Sequence, residues 1–292
     1  MAIYDAQGNQ LLAVYDAEGN SLDYAYDAEG NVLFQKDADE YAYYTIEQMY
    51  NTTRGNKQGM DIYGNYMVIF DGTSNNLIFV NLTTLEIDYT IPTGLSTHGN
   101  DISFSSVFYD PDDEFPLLFI ETRHGFRIDV GNLSAEEVVT LTISPSGNTW
   151  NTFGTAFNAD STKYYCMGYN TSSYADSSGF IWLETWDISN GFSNPVRESI
   201  LTRQWFPCIQ GVVYHDGLLW VASGMGDPVK VYAINPSDAS IVKTIDLTYT
   251  GELEGIGWGY DENDGNYFCV YGQIYNGATY FRIDFSSTPI SS

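Results

Sequence analysis

Short apolar and aromatic segments, most of them interspersed with polar residues, are separated along the chain by turns rich in Gly, Asn and Asp. Apolar residues at every second position predict β-strands, and glycine with asparagine or aspartate favours tight turns. Residues 37–51 are the one stretch whose spacing fits a helix, and their content of Tyr, Thr and Ile fits a strand equally well. The sequence therefore predicts an all-β protein.

A polar residue followed by glycine opens an apolar strand at five places. The five glycines are Gly59, Gly99, Gly154, Gly211 and Gly255, which lie 40–57 residues apart. Further strand segments follow these steps, and four strands repeated at such an interval are typical of β-propeller blades. We predict that residues 41–292 form a β-propeller of five four-stranded antiparallel blades.

The last predicted blade is one strand short, because its third strand, around residues 280–285, is followed by only a few residues. A closed ring needs a fourth strand there, since an open sheet edge invites aggregation. Residues 43–50 lie just before the first blade and have the composition of a strand. We expect this segment, from the N-terminal side of the propeller, to complete the last blade.

Residues 1–36 form a separate leader built from an eleven-residue repeat. Its three units share a tyrosine-aspartate pair and a glycine-asparagine pair, beginning at Tyr4, Tyr15 and Tyr26. Aspartate caps the turn and glycine supplies a positive φ, so each unit predicts a β-hairpin. Three short hairpins are marginally stable alone, and we expect them to pack on a second copy, on another protein or on the propeller.

These repeats resemble the YD-type repeats at the start of many tail-associated proteins of phages and prophages in gut bacteria. The blades resemble those of uncharacterised five-bladed propellers from gut bacteria, notably from the His98-Gly99 step to Phe119-Ile120. The first resemblance implies a virion protein as a partner. The second implies a fold and brings no activity with it, because one fold hosts many functions.

Charge narrows the set of partners. The chain has 38 Asp and Glu against 11 Lys and Arg, which gives a formal net charge of −27. Nucleic acids and anionic membranes both require clustered basic residues, so neither is expected to bind. No signal peptide and no membrane-spanning segment is visible, so we expect a cytoplasmic or virion-associated protein. The three cysteines, Cys166, Cys208 and Cys269, predict buried thiols rather than a disulfide framework.

If the first strand of each blade lines the central axis, the residues that open these strands gather at one mouth of the channel. The expected polar ring consists of Gln58, His98, Thr152, Gln210 and Glu254, with Asp61 and Asp101 one step further in. Convergent polar groups at a propeller mouth favour a ligand site. The alternative is that they cap the backbone of the blades and hold water in the channel.

Aromatic residues are abundant, with 24 Tyr, 16 Phe and 6 Trp. Sugars stack on exposed aromatic faces, so Trp150, Trp205 and Trp258, predicted near the same mouth, favour glycan binding; the alternative is that they pack between blades. The sequence thus predicts a non-enzymatic module that binds a glycan or a protein. The repeats would attach it to a larger assembly, either a homo-oligomer or a virion.

A carbohydrate-active hydrolase is the alternative function, because glycosidases use one carboxyl group as acid and another as base or nucleophile. Asp61, Asp101 and Glu254 are its candidate residues, although no catalytic motif accompanies them. A scaffold protein without a small-molecule site is the third possibility. No cofactor is predicted: the histidines lack metal-ligand spacing, and the acidic residues 110–114 and 261–265, which suit calcium chemically, fall where hairpin turns are expected.

Overall fold

The computed structural model describes residues 14–15, 21–22, 24–26, 32–35, 41–52, 57–97, 99, 101–121, 123–143, 151–169, 180–204, 209–223, 229–247, 252–263, 265–274 and 278–287. The chain divides into two compact units. One consists of residues 1–45 with 285–292, and the other of residues 46–284.

The N-terminal repeats form β-hairpins. Strand β1 (Val14–Tyr15) pairs antiparallel with β2 (Ser21–Leu22), and β3 (Tyr24–Tyr26) pairs in the same way with β4 (Val32–Gln35). The two pairs lie on either side of residues 16–20 and 27–31, as expected for hairpins in the second and third units. The first unit lies outside the described residues.

Five four-stranded antiparallel sheets follow, each with its strands in chain order except the last. Blade one contains β6 (Lys57–Tyr63), β7 (Tyr66–Asp71), β8 (Asn76–Asn81) and β9 (Ile87–Pro92); blade two contains β10 (Ile102–Phe104), β11 (Leu118–Ile120), β12 (His124–Asp129) and β13 (Ser134–Thr140). Blade three contains β14 (Asn151–Phe157), β15 (Lys163–Tyr169), β16 (Phe180–Asp187) and β17 (Val196–Gln204); blade four contains β18 (Ile209–His215), β19 (Leu218–Ser223), β20 (Lys230–Ile234) and β21 (Ile241–Asp246).

Blade five is completed by a strand from the N-terminal side of the propeller. It contains β22 (Glu252–Asp261), β23 (Asn266–Ile274), β24 (Ala278–Ser286) and, beside β24, β5 (Tyr43–Thr52). Residues 43–52 are thus a strand and not a helix. The inner strands β6, β10, β14, β18 and β22 contact one another in a closed ring. The prediction of a five-bladed propeller closed by an N-terminal strand is confirmed.

Apolar clusters fill the spaces between consecutive blades. Phe79 and Ile91 of blade one, for example, pack with Ile120 and Phe126 of blade two. Similar clusters lie between blades two and three, three and four, and five and one. Both faces of a blade are therefore buried, which is why its middle strands are almost continuously apolar.

The repeated glycines allow the inner strands to approach closely. A Cβ atom on Gly59 would lie 2.5 Å from Asp101 Cα in the next blade, and one on Gly255 would lie 2.7 Å from the Met60 amide nitrogen. Backbone occupies these positions and cannot yield as the end of a flexible side chain would. At Gly59, Gly211 and Gly255, the glycine that marks the blade in the sequence is therefore a requirement of packing around the axis.

We expect the closing strand to be essential for stability. Removing residues 1–50 would delete most of β5, open the edge of β24 and expose the cluster against which Met49 and Tyr50 pack. A chain that begins at Tyr41 lacks only the repeats and serves as the control. In thermal and urea unfolding, only the chain that lacks residues 1–50 should have a much lower midpoint than the native chain. Equal midpoints for the two chains would mean that β5 does not hold the ring closed.

Candidate functional site

The axis of the propeller is surrounded by strand edges that have no further strand to pair with. Asp61, on β6, supplies acceptors for two of the backbone amides there. Its Oδ1 accepts a hydrogen bond from the amide of Ile62, 2.8 Å away, and its Oδ2 accepts one from the amide of Phe104, also at 2.8 Å. This carboxyl group therefore links blade one to blade two.

Asp101 supplies acceptors for backbone amides of three blades. Its Oδ1 accepts from the amide of Ile102 at 3.0 Å, and its Oδ2 accepts from the amides of Thr155 at 2.6 Å and Val212 at 3.4 Å. The Ser103 hydroxyl also donates to the carbonyl oxygen of Thr155. The carboxyl group of Asp101 thus joins blades two, three and four at the axis.

Burial changes the protonation of both groups. Desolvation raises the pKa of Asp61 to about 7, although its two backbone hydrogen bonds act in the opposite direction. Desolvation also raises the pKa of Asp101 well above its usual value, and the nearby charge of Asp61 adds to this effect. Burial therefore favours the protonated form of both axial carboxyl groups, compared with exposed aspartates.

The two aspartates are not equivalent, although the glycine steps before them look alike in the sequence. A Cβ on Gly59 would meet the Cα of Asp101, just as one on Gly211 would meet the Cα of Gly255. Asp101 therefore occupies the place that glycine holds in other blades, whereas Asp61 lies two residues further along its strand. The difference explains why Asp101 reaches across the axis to blade four.

The predicted polar ring lies at the mouth where the inner strands begin, which we call the N-terminal mouth. Gln58, Gln210 and Glu254 are there, each at most 5% exposed. Gln210 donates through Nε2 to Glu252 Oε1 at 2.9 Å, and desolvation raises the pKa of Glu254 to about 9. His98, Trp150 and Trp205 lie outside the described residues, as does the side chain of Thr152.

A cavity of about 390 Å³ opens at the other end of the axis, which we call the C-terminal mouth because the inner strands end there. Asp61 and Ser103 lie at its inner end, and it receives residues from all five blades. Aromatic and histidine side chains surround it: Tyr63, Phe104, Phe157, Tyr214, His215, Trp258, Tyr260 and Tyr267. We name this cavity the axial pocket.

Trp258 lies in this pocket and not at the mouth where the polar ring begins. The imidazole of His215 stacks on its indole with ring centres 3.9 Å apart and planes 10° apart, and Tyr267 is 4.6 Å from His215. Desolvation lowers the pKa of His215 to about 4, so this ring is neutral at pH 7. Tyr260 and Tyr267, which are 49% and 55% exposed, present aromatic surface to solvent.

Sequence reasoning missed most of this aromatic rim. A signal for it exists, because aromatic residues end or nearly end the inner strands of every blade, as at Tyr63, Phe104, Phe157, Tyr214 and Trp258. Tyr267 has no such signal, since it lies on β23 and reaches the pocket from the second strand of blade five.

Two acidic segments considered for calcium form hydrogen-bonded turns. Asp110 Oδ1 accepts from the amide of Asp112, and Asp113 forms a bidentate pair with Arg127. Asp261 Oδ1 accepts from the amide of Asn263.

Over the part of the chain that the structure describes, there is no group of three or more His, Cys, Asp or Glu arranged to hold a metal. The same residues contain no helix that could cross a membrane.

The fold defines this chain as a five-bladed β-propeller with YD-type repeats at its N-terminus. Residues 4–39 match the RHS repeat family. No curated protein matches the sequence of the chain at a significant level.

Several solved structures are similar to this chain. Glutaminyl cyclase from Myxococcus xanthus aligns with a TM-score of 0.50 and 15% identity, over 83% of this chain and 97% of its own. The PQQ-bound aldose sugar dehydrogenase of Streptomyces coelicolor gives 0.49 and 10%, over 83% and 99%. The tail fiber of Staphylococcus aureus phage P68 gives 0.49 and 12%, over 83% of this chain but 53% of the fiber chain. At 15% identity, the similarity to the cyclase shows the fold alone.

Asp61 should make stability depend on pH. Its proton is bound more tightly in the folded chain than in the unfolded one, where its pKa is near 3.8. The resulting stabilisation is present at low pH and is lost as the pH rises from about 4 to about 7, a change on the order of 4 kcal/mol. Urea unfolding across this range should show a smaller pH dependence in Asp61→Asn, and an unchanged one in the exposed control Asp112→Asn. Equal slopes for Asp61→Asn and the native chain would contradict the assignment.

Proposed function

We propose that the propeller is a non-enzymatic binding module that recognises a glycan at its C-terminal mouth. The observation that supports this most strongly is the axial pocket itself, with its aromatic rim and its polar inner end. Pockets of a few hundred Å³ with aromatic walls and a few polar groups are the usual form of small-ligand sites. The proposal retains the ligand class expected from the sequence and assigns it to the opposite mouth.

The chemistry of the rim suits a sugar. Pyranose rings present apolar C–H faces that stack on aromatic rings, and Tyr260 and Tyr267 offer such rings to solvent. Hydroxyl groups around the sugar need donors and acceptors. Ser106 and Asn158 line the pocket wall and already bond within the protein, and their remaining lone pairs and the second amide N–H of Asn158 can bond to a sugar. A protein ligand inserting a side chain into the pocket is the alternative within the same proposal.

The repeats would have a separate role. We propose that the hairpins of residues 1–36 attach the propeller (residues 41–292) to a larger assembly, either a homo-oligomer or a virion. The motif supports this, because a hairpin pair of two to four residues a strand has too little core to be stable alone. Co-purification with virion proteins would support the proposal, and a freely monomeric protein would count against it.

Removing aromatic surface from the rim should weaken glycan binding. We expect Tyr267→Ala, and independently Tyr260→Ala, to reduce the affinity for any bound oligosaccharide by about tenfold, since each removes a stacking face. Tyr43→Ala is the matched control, because Tyr43 is also exposed but does not line the pocket. Glycan-array screening followed by titration calorimetry measures the effect. A blank array, or equal losses in all three variants, would count against glycan binding at this mouth.

A carbohydrate-active hydrolase remains a second candidate because of one observation. The pKa of Glu254 is raised to about 9, which keeps the carboxyl group protonated at neutral pH as a general acid requires. Its proposed partners, Asp61 and Asp101, have both carboxylate oxygens engaged by backbone amides. This hypothesis predicts release of reducing sugar from polysaccharides and its loss in Glu254→Gln. Absence of release from native protein that binds the same glycan would exclude it.

A further inference from the structure

A second cavity adjoins the axial pocket. It has a volume of about 460 Å³ and lies between blades five and one. Its walls are formed by Met49, Gly64, Asn65, Leu82, Thr83, Tyr260, Asp261, Glu262, Asn263, Phe268 and Arg282. Gly64, Tyr260 and Glu262 line both cavities, so the two spaces meet at these residues. We name the second space the inter-blade cleft.

We propose that the axial pocket and the inter-blade cleft form one continuous groove for a linear, uncharged oligosaccharide. One end of the sugar chain would occupy the axial pocket, and the following units would pass Tyr260 into the cleft. This inference rests on the proposed glycan-binding function and adds to it the shape and the charge of the ligand.

The charges around the groove disfavour an anionic sugar. Arg282 is the one lysine or arginine among the residues that line either cavity, all of which the structure describes. Its Nη1 donates to Asp261 Oδ2 at 2.8 Å, and its Nε donates to Asp284 Oδ1 at 2.8 Å, so two carboxylates already balance its charge. Glu262 adds further negative charge, in a chain whose formal net charge is −27.

The arrangement of the cleft walls favours a sugar over a peptide. An extended peptide binds best along an open strand edge, where it pairs with free backbone groups. The cleft is instead walled by turns whose amides bond internally: Thr83 N donates to Asn81 Oδ1 at 2.9 Å, and Asn263 N donates to Asp261 Oδ1 at 3.0 Å. The side chains of Asn65, Thr83 and Asn263 line the cleft, and each donates one hydrogen bond within the turns, at 3.0–3.2 Å. The second amide N–H of each asparagine and the remaining oxygen lone pairs can still bond to sugar hydroxyls.

The aromatic surfaces also continue from one cavity to the other. The ring centres of Tyr260 and Tyr267 are 5.0 Å apart at the rim of the axial pocket, and Tyr260 belongs to the cleft as well. Phe268 lies in the cleft beneath Arg282, whose guanidinium carbon is 4.0 Å from the ring centre. Phe268 is 3% exposed and covered by Arg282, so Tyr260 is the aromatic surface that a sugar chain would meet on its way from the axial pocket into the cleft.

The test uses the full chain and two variants that fill the cleft from opposite walls, Thr83→Trp and Asn263→Trp. Both positions are exposed, line only the cleft and lie in turns, and thermal unfolding checks that each variant folds. The probes are malto-, cello-, manno-, xylo- and chito-oligosaccharides of one to six units, with oligogalacturonates as the charged counterpart. Titration calorimetry gives the affinities.

We expect the affinity of the native chain for at least one neutral series to rise about tenfold or more from the disaccharide to the hexasaccharide. The cleft-filling variants should remove this gain and leave disaccharide binding unchanged, whereas Tyr267→Ala should weaken both. Equal affinity for short and long sugars, or equal losses for both in the cleft variants, would overturn the groove while leaving glycan binding intact. Tighter binding of oligogalacturonates would overturn the inference about charge. Binding of no sugar, or of peptides only, would overturn the glycan proposal itself.

Discussion

The structure depends on how five strand edges are satisfied around one axis. Each inner strand is paired on its outer side only, and on its inner side it approaches the next blade so closely that a Cβ atom at Gly59 or Gly255 would strike backbone. Amides in such a space have little access to water and need acceptors from the protein. Asp61 and Asp101 supply them, and between them they join four of the blades. The raised pKa values of these two residues follow from the same burial.

Because of this constraint, the structural role and the proposed binding role belong to different parts of the axis. The carboxyl groups in the middle of the channel are committed to holding the blades together, so they are poorly placed to act on a substrate. The inner strands end at the C-terminal mouth, where aromatic side chains near their ends line the axial pocket. A binding surface at this mouth can vary in sequence without disturbing the axial hydrogen bonds.

The sequence was sufficient to predict the fold, because each blade repeats the same local requirement. Glycines such as Gly59 and Gly255 are required where the inner strands approach closely at the axis. Residues 43–50 could be assigned to blade five because a ring cannot keep an open edge. The site was harder to predict. Spacing alone made Asp61 and Asp101 look equivalent, although Asp101 replaces a glycine. To place Trp258 at the correct mouth, one must know near which end of β22 it lies. Tyr63, His215 and Tyr267 are far apart in sequence, and only the closed ring brings them to one pocket.

Ring closure and the proposed groove involve the same segments. Met49 of the closing strand β5 and Arg282 of its neighbour β24 both line the inter-blade cleft, which lies where the first and last blades meet. Blades five and one contact each other through their inner strands β22 and β6, as other neighbouring blades do, but here β5 also links them by pairing with β24. Because the cleft wall is built from that pairing, its shape depends on the correct seating of β5. Anything that loosens β5 should therefore alter the cleft before it alters the axial pocket, whose residues come from all five blades and are held by the axial carboxyl groups.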